Sequence, residues 1–161
     1  MTSRDNLVGG LGTAMQRYQR SVQAFDDAVG RQLGLGAADL RCLDWLADGP
    51  KSAGQLAVAT ALTPAATTAL VDRLARKGLV ERYRGDEDRR QVMVRMTDKG
   101  VEQTMRFYWP LVEEGQELLH RFSDRELRLM TRHLEAITEL TDRHRSRVDT
   151  TSPARQERPH P

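Results

Sequence analysis

The first third of the chain carries apolar residues at a helical spacing. From Leu11 to Leu33 they recur at steps of three and four, which keeps them on one side of a helix. The stripe is narrow, as in helices that pair with another helix. Five glycines border it, and we expect them to fray its start and to end it. They are Gly9, Gly10, Gly12, Gly34 and Gly36.

Three shorter helices are predicted next. The first spans residues 37–47 and stops at an Asp-Gly-Pro breaker. Ser52 then opens a capping box for a short helix. Thr63 is the expected N-cap of the following one, with Pro64 at its first position, where a missing N–H costs nothing, and Gly78 after its end. Two short helices joined by a tight turn are typical of a helix-turn-helix.

After Gly78 the apolar spacing changes from helical to alternating. Residues 79–84 and 91–97 are predicted to be strands, with Val92, Val94 and Met96 on one face of the second strand. The polar residues 85–90 between them form the expected hairpin tip. A β-hairpin directly after a helix-turn-helix is a wing.

Two further helices complete the predicted fold. Thr97 caps one that runs to about residue 121 with a kink at Pro110. Ser123 opens the last, which runs to about residue 147. The predicted fold class is mainly α: a winged helix-turn-helix lobe with a helical dimerisation region formed by the terminal helices. The predicted boundaries are 1–36 and 98–147 for the dimerisation helices, 37–97 for the lobe and 148–161 for a disordered tail.

Composition narrows the class of protein. Of the 161 residues, 39% are apolar and 30% are charged, so we expect a soluble protein that is elongated or oligomeric. No stretch is long and apolar enough for a membrane span or a signal peptide, which predicts a cytoplasmic location without membrane contact. The single cysteine, Cys42, excludes an internal disulfide.

The net charge of +2 hides an uneven distribution. Residues 51–99 hold 10 basic and 6 acidic side chains, a net charge of +4, whereas the segments on either side are each at −1. The basic segment coincides with the predicted helix-turn-helix and wing. A basic surface is compatible with nucleic acid, although ordinary surfaces also carry such an excess.

The central motifs resemble one family. In residues 71–100 a D-R-L triplet, a G-L-V triplet, a D-x-R wing motif and a hydrophobic-T-x-x-G cap follow one another as they do in the MarR family of winged-helix transcriptional regulators. These motifs are Asp72-Arg73-Leu74, Gly78-Leu79-Val80, Asp88-Arg89-Arg90 and Met96-Thr97-Asp98-Lys99-Gly100.

The resemblance implies a homodimer that binds a pseudo-palindromic operator in double-stranded DNA and usually represses. It also implies a small aromatic or phenolic effector. The apolar stripes of the first and last helices independently favour a dimer, because one subunit offers them no third large element. The alternative is a redox-responsive or constitutive regulator of the same fold, which uses Cys42 or has no effector. An enzyme is not expected, since no nucleophile elbow or phosphate loop is present.

DNA contacts are expected from the second helix of the helix-turn-helix and from the wing. Threonines offer a hydroxyl and a methyl group, alanines only a methyl, and arginine or lysine a phosphate contact. By the resemblance, Asp88 braces Arg90, which enters the minor groove; the simpler interpretation is an exposed ion pair. The candidates are Thr63, Ala65, Thr67, Thr68, Ala69, Arg73, Lys77, Arg84, Asp88, Arg89 and Arg90.

Candidates for the effector site are aromatic side chains and the cysteine, although each is also compatible with an ordinary core position. They are Tyr18, Cys42, Trp45, Phe107, Tyr108 and Trp109. No metal is expected, because His120, His133 and His144 are widely spaced, and His133 and His144 are too far apart along one helix to share an ion. No cofactor is expected either.

Overall fold

A computed structural model describes residues 2–84 and 92–150, with side chains up to residue 148. The described residues form six helices and three strands, which confirms the mainly helical fold class with a small antiparallel sheet. In chain order they are α1 (Ser3–Leu33), α2 (Ala37–Ala47), β1 (Lys51–Ser52), α3 (Ala53–Thr60), α4 (Pro64–Arg76), β2 (Val80–Arg84), β3 (Val92–Met96), α5 (Asp98–Leu119) and α6 (Asp124–Thr150).

The chain divides into two compact units. The first, Met1–Pro110, contains α1 to α4, the sheet and the first half of α5. The second, Leu111–Pro161, contains the rest of α5 and α6. The predicted disordered tail lies almost entirely outside the described residues.

The start of α1 differs from the prediction. The helix begins at Ser3 and continues through all three glycines that were expected to fray it. A capping box explains this start: Thr2 Oγ1 accepts from Asp5 N at 3.2 Å, and Thr2 N donates to Asp5 Oδ2 at 2.7 Å. Both bonds satisfy N–H groups at the helix N-terminus that no helical carbonyl can reach.

Most other helix boundaries follow the sequence signals. The bounds of α2 are those predicted, and Ser52 and Ser123 both close capping boxes, with Gln55 and Glu126. Two ends differ slightly: α5 stops at Leu119 and α6 continues to Thr150.

The core of the first unit lies where α2, α3 and α4 meet the sheet. Each helix contributes the side chains of one face, and the sheet covers the remaining side. The most deeply buried apolar residues are Leu43 and Cys42 from α2, Leu56 from α3, Leu70, Val71 and Leu74 from α4, and Leu79, Val80 and Val94 from the hairpin.

The sheet has three strands, one more than predicted. β3 lies in the centre and pairs antiparallel with β2 on one side and with β1 on the other. β1 has only two residues, too few for an alternating pattern. The predicted face of β3 is confirmed at Val94, which is buried, whereas Val92 at the end of the strand is exposed.

Thr97 fixes the corner between β3 and α5. Its Oγ1 accepts from Gly100 N at 3.0 Å, as predicted for an N-cap, and donates to the Gly78 carbonyl at 2.6 Å. Gly100 packs directly on the Leu79 backbone. A Cβ atom there would lie far inside van der Waals contact with the Leu79 carbonyl oxygen.

Within residues 2–84 and 92–150, no single helix is long and apolar enough to cross a membrane. The pair α3 and α4, bent by 102°, reaches that length and composition only when both helices are counted together.

Replacement of Gly100 and of Gly9 by alanine should change the free energy of unfolding in opposite directions. We expect Gly100→Ala to lower the free energy of unfolding by about 1 to 3 kcal/mol, because the corner is already closely packed. Gly9→Ala is the matched control: nothing lies within 4 Å of the added Cβ, so helix propensity should raise the free energy by up to about 1 kcal/mol. Urea denaturation at one protein concentration measures both, and equal effects would contradict the packing argument.

Candidate nucleic-acid interface

The turn between α3 and α4 is closed by backbone hydrogen bonds. Ala61 N donates to Val58 O at 3.2 Å and Leu62 N donates to Ala57 O at 3.1 Å, the pattern of a Schellman motif. Ala61 adopts a left-handed conformation, with φ of 54°, at a cost of about 1 kcal/mol for a residue with a Cβ. The half-buried Leu62 packs on the core and helps to hold this conformation.

Thr63 and Pro64 begin α4 as the sequence predicts. Thr63 Oγ1 accepts from Ala66 N at 3.3 Å, so the side chain is the N-cap. The inward face of α4 is built from Leu70, Val71 and Leu74, all buried. The opposite face is exposed and carries Thr63, Ala65, Thr68 and Ala69.

Thr67 does not share that exposed face. It was expected at its margin, but it is 1% exposed, and its Oγ1 donates to the Thr63 carbonyl at 3.0 Å. Thr67 precedes the buried Leu70 and Val71 by three and four residues, which puts it on the same face of α4 as these two. Its hydroxyl and methyl groups are therefore directed into the protein.

Arg73 is held by a buried carboxylate that the sequence did not point to. Its terminal nitrogen lies 2.5 Å from Asp39 Oδ1, and its Nε donates to Oδ2 at 3.4 Å. The Asp39 side chain is 5% exposed and that of Arg73 is 44% exposed. Asp39 also accepts from Gly36 N at 3.0 Å at the start of α2. The pair thus joins α2 to α4.

Two lysines act at the C-terminal end of α4. Lys77 is exposed, and its Nζ donates to the Leu33 carbonyl at the end of α1, at 3.4 Å. Lys99 Nζ donates to the Lys77 carbonyl at 2.9 Å. Because these bonds occupy only part of each ammonium group, Lys77 stays a candidate phosphate contact.

The wing carries further arginines. Arg84, a predicted contact, is exposed at the end of β2. Arg82, which sequence reasoning missed, donates to Asp72 of α4 at 2.6 Å. Arg95 bonds Glu81 and lies 4.8 Å from the ring centre of Tyr83. The predicted contacts Asp88, Arg89 and Arg90 lie outside the described residues.

The five aromatic residues predicted for the effector site fall into two groups. Tyr18, Trp45 and Trp109 are exposed, and Phe107 and Tyr108 are half-buried. The Tyr108 hydroxyl donates to Asp26 Oδ1 at 2.8 Å. Burial, together with this hydrogen bond, raises the pKa of Tyr108 above its ordinary value.

Phe25 completes this contact between α1 and α5. Its ring packs edge-on against that of Tyr108, with 5.4 Å between centroids. Neither Phe25 nor Asp26 was predicted from the sequence as a residue of the effector site. The structure thus brings Tyr108 into a cluster with these two residues.

Cys42 does not lie at an open surface. Its side chain is fully buried in the core. Burial, with a smaller contribution from the negative charge of Asp39, raises the pKa of the thiol to about 12. The thiolate is the reactive form of cysteine, so Cys42 has little of the reactivity that redox sensing needs.

The two-helix unit with an exposed second helix, followed by a β-hairpin, defines a winged helix-turn-helix protein. Residues 33–91 match a family model described as MarR family. An uncharacterized HTH-type transcriptional regulator, YcgE, from Bacillus subtilis (strain 168) is 33% identical over 122 residues, which are 73% of this chain and 79% of that protein.

Two solved structures of transcriptional regulators are similar to this chain in fold and sequence. BldR, a transcriptional regulator from Sulfolobus solfataricus, has a TM-score of 0.54 and 29% identity, covering 89% of this chain and 99% of that one. A MarR family transcriptional regulator from Silicibacter pomeroyi DSS has a TM-score of 0.60 and 25% identity, covering 81% and 89%. The chain belongs to the MarR family of transcriptional regulators, which confirms the resemblance.

The Asp39–Arg73 pair predicts a measurable coupling. We expect Asp39→Asn to lower the free energy of unfolding by about 1 to 3 kcal/mol, because a charged hydrogen bond at a buried carboxylate is lost. Arg73→Gln should do the same, and the double variant should lose less than the sum. Asp72→Asn, which breaks the exposed pair with Arg82, is the control and should cost less than about 1 kcal/mol. Additive losses for the first two variants would contradict the coupling.

Proposed function

We propose that the protein is a sequence-specific DNA-binding repressor that acts as a homodimer and is released from its operator by a small aromatic ligand. The observation that carries the proposal is the division of α4 into two faces. One face is fixed in the core by Leu70, Val71 and Leu74, and the other presents Ala65 and Thr68 to solvent. The major groove of DNA is wide enough to admit an α-helix, so a helix held by one face can insert its exposed face there.

Electrostatics support a nucleic-acid partner. The N–H group of Ala65 lies in the first turn of α4, where no helical carbonyl precedes it, and such groups bind phosphate. Lys77 and Arg84 add positive charge at exposed positions. With the wing residues Arg89 and Arg90 they account for part of the +4 charge of residues 51–99.

Exposed apolar side chains support the dimer. They are spread along α1, α5 and α6, and Leu134 is 57% exposed. A monomer in water rarely exposes so many apolar side chains. We therefore propose that a second copy of the chain covers them. They include Leu7, Val8, Leu11, Tyr18 and Val22 in α1, Trp109, Leu111, Val112, Leu118 and Leu119 in α5, and Leu129, Met130, Leu134 and Leu140 in α6.

Repression is the mode of regulation we propose for an operator that overlaps a promoter. A dimer that covers two half-sites one helical turn apart occupies the DNA that a polymerase needs, without any further contact. Release by an aromatic ligand is supported by the exposed Trp45 and Tyr18 and by the half-buried Tyr108. The burial and raised pKa of Cys42 argue against the redox alternative.

The dimer proposal predicts the effect of a charge on α6. Leu134→Glu should give a monomer in sedimentation velocity, because it puts a carboxylate into the proposed interface. Arg132→Glu, on the polar side of the same helix, should leave the dimer intact. A Leu134→Glu variant with the mass of a dimer would overturn the proposed interface.

DNA binding is tested by selection from genomic fragments with the purified full-length protein. A selected site should bind with an affinity that falls steeply as salt rises. Arg90→Ala should weaken binding by about 1 to 3 kcal/mol. It should also reduce the slope of log Kd against log salt concentration by about one, while the melting temperature stays unchanged. Arg125→Ala on α6 is the control and should bind normally. Recovery of no preferred sequence would overturn the proposed function. Where a site is selected, small aromatic compounds that release the protein from that site identify the effector.

A further inference from the structure

The exposed face of α4 offers methyl groups to a partner. Ala65 and Ala69 end at their Cβ atoms. Thr68 Oγ1 donates its proton to the Pro64 carbonyl at 3.0 Å, so that this hydroxyl can only accept another hydrogen bond. Thr68 is exposed on the same face as Ala65 and Ala69, so its Cγ2 methyl group is available to a partner as well. Guanine is normally read by donors, and these three side chains supply none.

The charged side chains of α4 have other roles. Arg73 is bound to Asp39, and Asp72 accepts from Arg82. Arg76 is eleven residues beyond Ala65, so it lies about 16 Å further along the helix axis. Helices of this kind contact base edges mainly through their N-terminal residues. Among the described side chains of α4, none at that end is a bidentate donor for guanine.

We infer that α4 reads the C5 methyl groups of pyrimidines in the major groove, so that thymine and 5-methylcytosine are equivalent to it. The inference rests on the proposed function, which puts this face of α4 in the groove. The thymine methyl is the only apolar group at the major-groove edge of an A·T pair. Ala65, Thr68 and Ala69 can cover it with carbon atoms, which removes apolar surface from water on both sides.

5-Methylcytosine carries the same methyl group at the same ring position. A C·G pair in a half-site therefore gains the contact when its cytosine is methylated. Binding of this protein consequently responds to cytosine methylation at positions covered by α4. The wing contributes separately through the minor groove, where this methyl group is not displayed.

Synthetic operators test the inference on the full-length protein. Each thymine of the selected half-site is replaced in turn by deoxyuridine, which lacks only the methyl group. At the contacted positions Kd should rise about fourfold for each methyl group lost. A C·G pair at such a position should bind about fourfold more tightly with 5-methylcytosine than with cytosine. Replacing the guanines of the half-site by 7-deazaguanine, which removes the N7 acceptor, should change Kd by less than about twofold, because no bidentate contact is lost.

Two variants assign the effect to α4. Thr68→Ser removes one methyl group and keeps the hydroxyl, and Ala69→Gly removes another. Each should bring the ratio of Kd for uracil to Kd for thymine to about one at its contacted position. The ratio is measured within one variant, so a loss of folding stability cancels. Thr131→Ser is the matched control: Thr131 Oγ1 donates to Leu127 O at 2.9 Å in α6, as Thr68 does in α4, and its variant should keep the wild-type ratio.

The outcomes separate the inference from the proposed function. Equal affinity for thymine and uracil operators overturns the methyl contact, as does a ratio that neither Thr68→Ser nor Ala69→Gly changes. A large loss of binding with 7-deazaguanine overturns it as well. All three results leave sequence-specific DNA binding intact. The absence of any selected sequence overturns the proposed function instead.

Discussion

The carboxylate of Asp39 is the interaction on which the geometry of the first unit depends. A buried carboxylate is costly unless its oxygens are paired, and here they bond the start of α2 and the side chain of Arg73. Lys77, one turn further along α4, bonds the end of α1. The C-terminal half of α4 is therefore anchored to two other helices. Its N-terminal half, held by the turn at Ala61, stays accessible.

Local signals predicted most of the fold. The boundaries of α2, α3 and α4 depend on residues within four positions of each end, such as Ser52 and its Gln55 partner, Thr63 and Pro64. Because the residues that form each cap lie close together in the sequence, the sequence alone predicts these caps. The exposed face of α4 followed from the same helical spacing. The family motifs then identified the wing, although its tip lies outside the described residues.

Long-range contacts account for what was missed. The partner of Arg73 lies 34 residues away along the chain, and nothing in the spacing connects Asp39 to it. A strand of two residues such as β1 has no period to detect. Thr67 was expected at the margin of the exposed face, where one residue step of about 100° separates an exposed position from a buried one. Tertiary packing decided this position, which propensity alone leaves open.

The bond from Lys99 to the Lys77 carbonyl has an electrostatic consequence for α4. A helix has a positive pole at its N-terminus and a negative pole at its C-terminus. The ammonium group of Lys99 neutralises the negative pole, while the positive pole at Thr63 is exposed. A polyanion at the N-terminus of α4 would therefore face the positive pole, while the negative pole at the other end is neutralised. In the proposed DNA complex, a phosphate group at Thr63 would therefore meet an unbalanced positive pole, even though the exposed side chains in that region are uncharged.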